Sequence, residues 1–299
     1  MKLFYNRRDN NMQYRFLSFP GGKQKAVTFS YDDGVSQDIR LAEMFTKYGL
    51  KGTFNINSEL IGKPGKNSNR LTSEEIKKHI IDKRHEIAVH GANHIASAAA
   101  SPTLCLKDAF ECRRRLEDVF DIIIRGMAYP DSGITAPHNG NSYETVKNIL
   151  TYSGIAYSRS LGGDNDTFNM PTDFHKWMPT AHHKNPMLLE WIDNFNSIRY
   201  STERAKLNAP KLMYIWGHSY EFDTANNWEL IEEICKKLSS RDDTWYATNI
   251  EIYDYVCAYE SLVFSADETK VYNPTARTIW LTADFKMYSI EPNQTISIN

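Results

Sequence analysis

The residues best suited to chemistry are two adjacent carboxylates, Asp32 and Asp33, and two histidines further along the chain, His90 and His94. The carboxylates follow a short apolar run that predicts a buried strand, and the glycine after them favours a turn. Successive side chains on an extended chain point to opposite sides, so the two carboxylates are expected to have different roles. One is suited to bind a metal ion and the other to transfer a proton.

The two histidines lie four positions apart, the spacing of about one helical turn. If the segment after His90 is helical, both imidazoles lie on one face and share a metal ion. Two imidazoles and one carboxylate leave positions open for water and substrate, as catalytic zinc sites require. A His-x-x-x-His pair alone suits a structural role equally well. Together with an Asp-Asp-Gly turn at another strand end, it indicates a catalytic metal centre.

The rest of the chain alternates between strand-like and helix-like segments. Apolar runs predict strands at residues 26–30, 51–57, 86–90, 126–130, 154–159, 211–216 and 245–247. Amphipathic spacing and capping signals predict helices at residues 36–48, 72–82, 103–120, 143–150, 188–198, 225–238 and 249–259. This even alternation predicts an α/β fold with a parallel sheet, arranged as a barrel rather than as two domains.

Three regions are expected from these patterns. Residues 1–22 are predicted to be an irregular lead-in, residues 23–260 the barrel domain, and residues 261–299 a small β-rich extension packed on the barrel. Within the barrel domain, the polar stretch at residues 161–186 is too long for an ordinary connection, and loops of that length are often functional.

Composition excludes several classes of protein. The formal net charge of the 299 residues is −2 and no basic stripe is evident, which disfavours nucleic-acid binding. No apolar run approaches the ~18 residues of a membrane span. The N-terminus lacks the apolar core of a secretory signal, which favours the cytoplasm; a signal peptide removed beforehand would make the protein secreted or part of the cell envelope. The four cysteines are expected to be buried free thiols.

The Asp-Asp-Gly and His-x-x-x-His motifs, followed by a histidine after the apolar strand at residues 211–216, resemble the ordered motifs of one enzyme family. That family is the polysaccharide deacetylases, also called carbohydrate esterase family 4 or the NodB-homology family. The resemblance extends from about residue 26 to residue 255. It implies a distorted (β/α)7-type barrel, to which the pattern above adds a small C-terminal β-extension.

The resemblance also implies a reaction and a division of roles. The reaction is the metal-dependent removal of N-acetyl groups from an N-acetylated carbohydrate. Asp32 resembles the catalytic base, and His218 the general acid that protonates the leaving amine. The implied metal ligands are Asp33, His90 and His94. Zinc is the default ion for an Asp-His-His ligand set, with cobalt and nickel as alternatives.

The third motif of the family departs from its common form in this chain. Most members have an arginine that orients the base, whereas this chain has Ala128 at that position and resembles a divergent Ala-Tyr-Pro branch. Our hypothesis is that Arg159, at the end of the next strand, supplies the missing cation beside Asp32. Tyr129, Pro130 and Asp131 follow Ala128 and are predicted to bind substrate. The backbone N–H of Asp131 is suited to an oxyanion hole, which needs no particular side chain.

The remaining candidates lie later in the chain. Trp177 is the best match to the tryptophan that shields the site in the family's fourth motif, and it is predicted to bind substrate. His182 and His183 either approach substrate or metal or are solvent-exposed loop residues. Glu221 and Asp223 either orient His218 and raise its pKa or are solvated helix-capping acids.

Several aromatic residues are suited to stacking on sugar rings, although most aromatic residues on strands belong to the core. The candidates are Tyr31, Tyr129, Trp177, Trp191 and Trp216.

Three functions remain open from the sequence. The first is the N-acetyl deacetylase described above. The second keeps the same metal site but attacks an O-acetyl ester or a cyclic amide of a small molecule. The third is a carbohydrate-binding pseudoenzyme, which the missing arginine favours and the complete set of acids and histidines disfavours.

Overall fold

The computed structural model describes residue 12 and residues 14–65, 68–97, 99–131, 134, 141–161 and 164–298. The strands in these ranges are β1 Arg15–Ser18, β2 Lys25–Asp32, β3 Gly52–Ile56, β4 Glu86–Val89, β5 Gly126–Ala128, β6 Tyr157–Arg159, β7 Ala181–His182, β8 Lys211–Gly217, β9 Thr244–Tyr246, β10 Val263–Phe264, β11 Lys270–Tyr272, β12 Ile279–Ala283, β13 Lys286–Ile290 and β14 Thr295–Ser297. The helices are α1 Asp38–Lys47, α2 Ser73–His79, α3 Pro102–Phe120, α4 Tyr143–Tyr152, α5 Leu188–Ser197, α6 Tyr220–Ala225, α7 Trp228–Leu238 and α8 Asn249–Glu260.

The main sheet is parallel and curls into a distorted seven-stranded barrel, as the alternation of elements predicted. Its strands follow the order β6-β5-β4-β3-β2-β8-β7, and β9 pairs with the first half of β2. The segment that leads into β7 closes the barrel. Trp177 forms a parallel bridge to Arg159 in β6, and further on Ala181 pairs with Ile215 in β8. All seven barrel strands therefore direct their C-terminal ends to the same rim.

Strand β2 shows how the sequence separates the two layers of the barrel. Val27, Phe29 and Tyr31 are buried among the apolar side chains that line the surrounding helices. The alternate residues point into the barrel, where Thr28 donates to Asn249 and Ser30 accepts from Asn55. Because Asp32 continues this second series, its carboxylate is directed into the barrel interior at the rim.

The predicted barrel helices are all present, with bounds within a few residues of those expected. Two differences matter for the site. Helix α6 directly follows the strand that ends at Gly217, a region for which the sequence predicted no helix. The long loop at 161–186 contains a turn of 3₁₀-helix at Phe174–Lys176 and the short strand β7, so part of it belongs to the barrel wall.

The N-terminal region corrects one prediction. Residues 15–18 were expected to be irregular but form β1, which pairs antiparallel with β12 of the C-terminal extension. Residues 1–11 and 13 of the predicted lead-in lie outside the described residues. The extension itself is β-rich as expected, with one sheet of order β1-β12-β13 and another of order β10-β11-β14. Leu281 of β12 and Ile252 of α8 are buried in one apolar cluster, which joins this extension to the barrel.

Two simpler expectations can also be compared with the structure. All four cysteines are free, and Cys105, Cys112 and Cys235 are buried while Cys257 is partly buried. Among the helices of the described ranges, we find none with the length and apolar character needed to cross a membrane.

Candidate active site

The turn after β2 separates the two neighbouring carboxylates. Asp32 is the last residue of the strand, and Asp33 leaves it with a left-handed φ of 87°, followed by Gly34 with a φ of 62°. A left-handed conformation is costly for a residue other than glycine and occurs mainly where the surroundings impose it, often at functional sites. The reversal directs the Asp33 carboxylate away from Asp32 and toward the loop that follows β4.

Asp33, His90 and His94 converge as the sequence predicted. One ligand-type atom from each lies within 4.8 Å of the others. His90 is 1% exposed and donates from Nδ1 to the Ala128 carbonyl oxygen at 2.9 Å, so the lone pair of this imidazole lies on Nε2. That Nε2 is buried and has no hydrogen-bond partner.

A divalent metal ion fits this arrangement. Burial lowers the pKa of His90 despite the nearby carboxylates, which keeps the imidazole neutral and able to ligate. A ligating histidine whose other nitrogen donates to a carbonyl oxygen is a common feature of metal sites. Nitrogen and oxygen ligands in this number leave coordination positions open.

The geometry that joins His90 and His94 differs from the predicted helical turn. Residues 91–96 are not helical, and α3 begins only at Pro102. The two rings, whose centroids are 4.8 Å apart, are brought together by left-handed turns at Gly91 and His94. A Cβ atom at Gly91 would collide with the Asp108 carboxylate, so this turn needs glycine. Asp108 also accepts a hydrogen bond from the Asn93 backbone N–H, which fixes the loop.

Asp32 is held by a cation and an amide. Arg159 donates from Nη2 to Asp32 Oδ2 at 2.5 Å, and Asn55 donates to Asp32 Oδ1 at 2.8 Å. The side chains of Arg159 and Asp32 are 0% and 3% exposed. Burial by itself raises the pKa of Asp32, but Arg159, with His90 and His218, outweighs it and holds that pKa below its usual value. The structure thus places Arg159 beside Asp32, where the sequence hypothesis put it.

His218 follows β8 and faces the same carboxylate. Its Nε2 lies 4.0 Å from Asp32 Oδ2, and His90 Nε2 lies 3.9 Å from that oxygen. One oxygen of Asp32 therefore separates a nitrogen of the candidate metal triad from a nitrogen of the candidate acid. A small reacting group bound at the triad lies within reach of both Asp32 and His218.

The Glu221 carboxylate, in α6, is the centre of a cluster that the sequence left open. His218 Nδ1 lies 3.7 Å from Glu221 Oε1, and the Nε2 atoms of His182 and His183 each lie 3.2 Å from Glu221 Oε2. His182, His218 and Glu221 also have the spacing of metal ligands. However, Lys184 Nζ lies 2.7 Å from Glu221 Oε1 and already supplies a positive charge. We therefore assign the cluster to the orientation of His218.

The electrostatics of this cluster favour a protonated His218. Burial lowers the pKa of His218, but contact with Glu221 and the charge of Asp32 outweigh it and raise the pKa above the usual value. His183 is not a solvent-exposed loop residue: it is 2% exposed, stacks on Phe222 at 4.2 Å, and has a pKa lowered to about 4 by burial. Asp223 does not orient His218, because it accepts hydrogen bonds from Gln37 and Trp228 instead.

Two of the residues predicted to bind substrate are buried in the structure. The side chain of Trp177 is 1% exposed and packs edge-on against Tyr157 and Tyr214 in the core. Tyr129 is 0% exposed, and its hydroxyl donates to the His175 carbonyl oxygen. Both rings were assigned to the site from their match to family motifs. Strand alternation turns Tyr129 away from the barrel interior, whereas Trp177 is packed inside the barrel with Tyr157 and Tyr214.

The other predicted substrate-binding residues lie closer to the site. Pro130 is buried beside Gly91. The side chain of Asp131 is 63% exposed, and its Oδ2 lies 3.7 Å from His94 Nδ1. A role for the Asp131 backbone N–H in an oxyanion hole stays a prediction. Among the aromatic candidates, the indole of Trp216 lies in the site, with the Arg159 guanidinium carbon 4.4 Å from its ring centroid.

Three supporting residues were missed in the sequence. Asn55 contacts Asp32, and Asn57 donates to the His90 carbonyl oxygen at 2.5 Å. Both amides lie on or beside β3, and a buried asparagine in an apolar run was the signal that could have revealed them. Arg70 lies 3.1 Å from Asp33 Oδ1 and is brought there by a loop contact that no local pattern indicates.

Two carboxylates, three histidines and an arginine thus lie together at one barrel rim. Residues 20–147 match the family model of the polysaccharide deacetylases. This match supports a NodB-type domain of the polysaccharide deacetylases, also called carbohydrate esterase family 4, over that part of the chain. The matched stretch includes Asp32, Asp33, His90 and His94, and ends before Arg159 and His218.

Solved structures with a related fold include three proteins. A Streptococcus pyogenes deacetylase in complex with acetate is 19% identical, with 45% of this chain and 55% of that chain covered and a TM-score of 0.39. A family 4 carbohydrate esterase from Streptomyces lividans in complex with acetate is 12% identical, with 72% and 88% covered and a TM-score of 0.45. A family 4 acetyl xylan esterase from Clostridium thermocellum in complex with cobalt is 15% identical, with 77% and 90% covered and a TM-score of 0.42.

This chain thus spans little more than half the length of the Streptococcus pyogenes protein, at 55%. A search of curated proteins finds no match to the sequence.

Replacing Glu221 tests the electrostatic role of the cluster. In E221Q the carboxylate charge facing His218 is lost, so the pKa of His218 should fall. The measurement is an NMR titration of the His218 ring protons in wild type and variant. D223N, which removes a nearby carboxylate that does not contact His218, should leave that pKa unchanged. An unchanged titration in E221Q would show that Glu221 does not control the protonation of His218.

Proposed function

We propose that this protein is a metal-dependent hydrolase that removes N-acetyl groups from an N-acetylated carbohydrate. The observation that carries the proposal is the position of one Asp32 oxygen, about 4 Å from both His90 Nε2 and His218 Nε2. These distances support a base and an acid that both reach a group bound at the Asp33-His90-His94 triad. The match to the polysaccharide deacetylase family model supports the choice of an acetyl group and a carbohydrate.

The triad would hold the metal through the Asp33 carboxylate, His90 Nε2 and an imidazole nitrogen of His94. When bound, a divalent ion supplies Lewis-acid chemistry, since it lowers the pKa of a water to about 7 and polarises a carbonyl oxygen. His90 is already fixed in the required tautomer by its hydrogen bond to the Ala128 carbonyl oxygen. Zinc is our proposed ion for this ligand set, with cobalt and nickel as alternatives.

Asp32 is the proposed base. Its lowered pKa keeps it ionised at neutral pH, so its oxygens, which also accept hydrogen bonds from Arg159 and Asn55, retain lone pairs for a proton from the attacking water. A carboxylate of low pKa is a weak base, and the reaction therefore depends on a water that has already been made acidic. Arg159 keeps the charged form of Asp32 in one orientation inside the barrel.

His218 is the proposed acid. As the acetyl carbon–nitrogen bond breaks, the departing amine needs a proton, and His218 Nε2 lies 4.0 Å from Asp32 Oδ2. Glu221 favours the protonated imidazole through the contact at its Nδ1. The water contributes a hydroxyl group to acetate and a proton to Asp32, and the amine takes its proton from His218.

The alternatives share the metal triad and differ in the substrate. An O-acetyl ester leaves as an alcohol rather than an amine, which reduces the need for a protonated His218. The contact of His218 Nδ1 with the Glu221 carboxylate, which stabilises the His218 cation, therefore favours the amide. A carbohydrate-binding pseudoenzyme has no need of the buried Asp32–Arg159 pair, because burying two charges is costly unless the pair has a use.

Acetate release from an N-acetylglucosamine oligomer tests the proposed function. We expect zinc-loaded wild type to release acetate and chelator-treated protein to release none. D32N should still bind zinc, because Asp32 is not in the triad, but should lose about 10²–10⁴-fold in kcat/KM, the usual contribution of a positioned base. Zinc binding is measured by titration and turnover by acetate assay. Wild-type turnover in D32N would contradict the base assignment, and hydrolysis only of an O-acetylated oligomer would support the esterase.

A double-mutant cycle tests whether Arg159 acts through Asp32. R159M should reduce kcat/KM by about 10²-fold in the wild-type background, since it leaves a buried carboxylate without its cation. In the D32N background the same change should cost less than about tenfold, because residues that act as a unit are not additive. Thermal unfolding of all four proteins is the control for the loss of a buried ion pair. Equal fold-losses in both backgrounds would show that Arg159 acts independently.

A further inference from the structure

Arg70 is the second arginine in contact with the Asp-Asp pair. Its Nη1 lies 3.1 Å from Asp33 Oδ1, and the two side chains are 16% and 12% exposed. The same Nη1 donates a hydrogen bond to the main-chain carbonyl oxygen of Asp33. Asp33 therefore has its own arginine, as Asp32 has Arg159.

Main-chain hydrogen bonds fix the position of Arg70 on the Asp33 turn. Leu71 N donates to the Gly34 carbonyl oxygen at 2.8 Å, and Ser36 N donates to the Asn69 carbonyl oxygen at 2.9 Å. Arg70 and Val35 form an antiparallel bridge between these two contacts. The loop that follows β3 is thereby paired with the turn that follows β2, and the arginine is placed by the backbone rather than by a flexible side chain alone.

The contact with Arg70 leaves one carboxylate oxygen of Asp33 without a hydrogen bond. The guanidinium gives its hydrogen bond to the carbonyl oxygen of Asp33, while the buried carboxylate oxygen Oδ1 has no hydrogen-bond partner. Oδ1 is also the oxygen that lies 3.8 Å from His94 Nε2. The arginine thus restrains the residue and leaves a lone pair of its carboxylate available within the triad.

The backbone of Asp33 needs such a restraint. Its φ of 87° is a conformation that side-chain-bearing residues rarely adopt, and it persists only when surrounding contacts impose it. The Asp33 N–H is already bound to the Asn55 carbonyl oxygen at 3.0 Å. The bond from Arg70 fixes the other end of the residue, and together the two bonds hold the carboxylate toward His90 and His94.

We propose that Arg70 is a positioning residue for the metal site, which holds Asp33 in the conformation that ligates the ion. The inference rests on the proposed function, because it assumes that Asp33, His90 and His94 bind a divalent metal. Partners that orient a metal ligand typically contribute 10–100-fold to metal affinity. The positive charge of the guanidinium has the opposite effect on metal affinity, because it repels the ion. Removing the arginine therefore weakens zinc binding if positioning dominates and strengthens it if charge repulsion dominates.

Zinc affinity of the metal-free protein, measured by competition with a chelating indicator, distinguishes these effects. R70M removes the hydrogen bond and the charge, and we expect zinc affinity to fall about 10–100-fold. R70K keeps the charge but not the planar fork, and we expect its affinity to fall below that of the wild type as well. The matched control is K63M, which removes an exposed positive charge from the same loop and should leave zinc affinity unchanged.

The outcomes separate this inference from the proposed function. If the wild type binds zinc and R70M and R70K bind it as tightly or more tightly, Arg70 does not position Asp33 and the inference is overturned. If thermal unfolding shows that R70M does not fold, the zinc affinity of R70K tests the inference instead. Weaker zinc binding by R70K than by the wild type supports the inference, and unchanged binding overturns it. If the wild type itself binds no zinc, the proposed metal site fails at that step, whatever the variants do.

Discussion

The site depends on the need to accommodate two adjacent carboxylates at the end of one buried strand. Asp32 is 2% exposed, and an uncompensated charge at that depth is strongly unfavourable. The chain meets this constraint by turning the two residues apart and giving each its own arginine. Arg159 neutralises Asp32 from β6, four strands away from β2 in the sheet, and Arg70 contacts Asp33 from a loop.

The partners of the two carboxylates also support the roles that we propose for them. Arg159 and Asn55 donate hydrogen bonds to the Asp32 carboxylate from the barrel interior and hold it in its charged form. This carboxylate is therefore better suited to proton transfer than to metal binding. Asp33 keeps a buried oxygen without a hydrogen-bond partner, and that oxygen faces His94. The proposed division between base and ligand is therefore supported by the partners of the two carboxylates as well as by their positions in a motif.

The sequence predicted the parts of this site that are local. The strand before Asp32, the histidine spacing and the position of His218 after a strand all depend on neighbouring residues, and these predictions agree with the structure. We inferred that Arg159 lies near Asp32 because both residues follow or end predicted parallel strands, and the C-terminal ends of such strands share one rim. The helical turn between His90 and His94 was wrong, since Gly91 adopts a left-handed conformation that periodicity does not reveal.

The sequence did not reveal the features of the site that depend on packing between distant residues. We predicted that Trp177 and Tyr129 bind substrate because they match family motifs, but both rings are buried in the core. Trp216, on the strand before His218, is the aromatic residue that lies in the site. Glu221 was a candidate because it lies three residues after His218, but the approach of His182 and His183 to it depends on long-range packing. Arg70 is likewise brought to Asp33 by a loop contact that no local pattern could identify.

The central claim is that Asp33, His90 and His94 form the metal centre while Glu221 and its histidines do not. An anomalous-scattering map collected at the zinc edge from zinc-loaded crystals tests this directly. The account predicts a peak about 2.0–2.2 Å from the Asp33 carboxylate and from one nitrogen of each histidine of the triad. A map with no peak there, or with its main peak between His182, His218 and Glu221, would contradict the account.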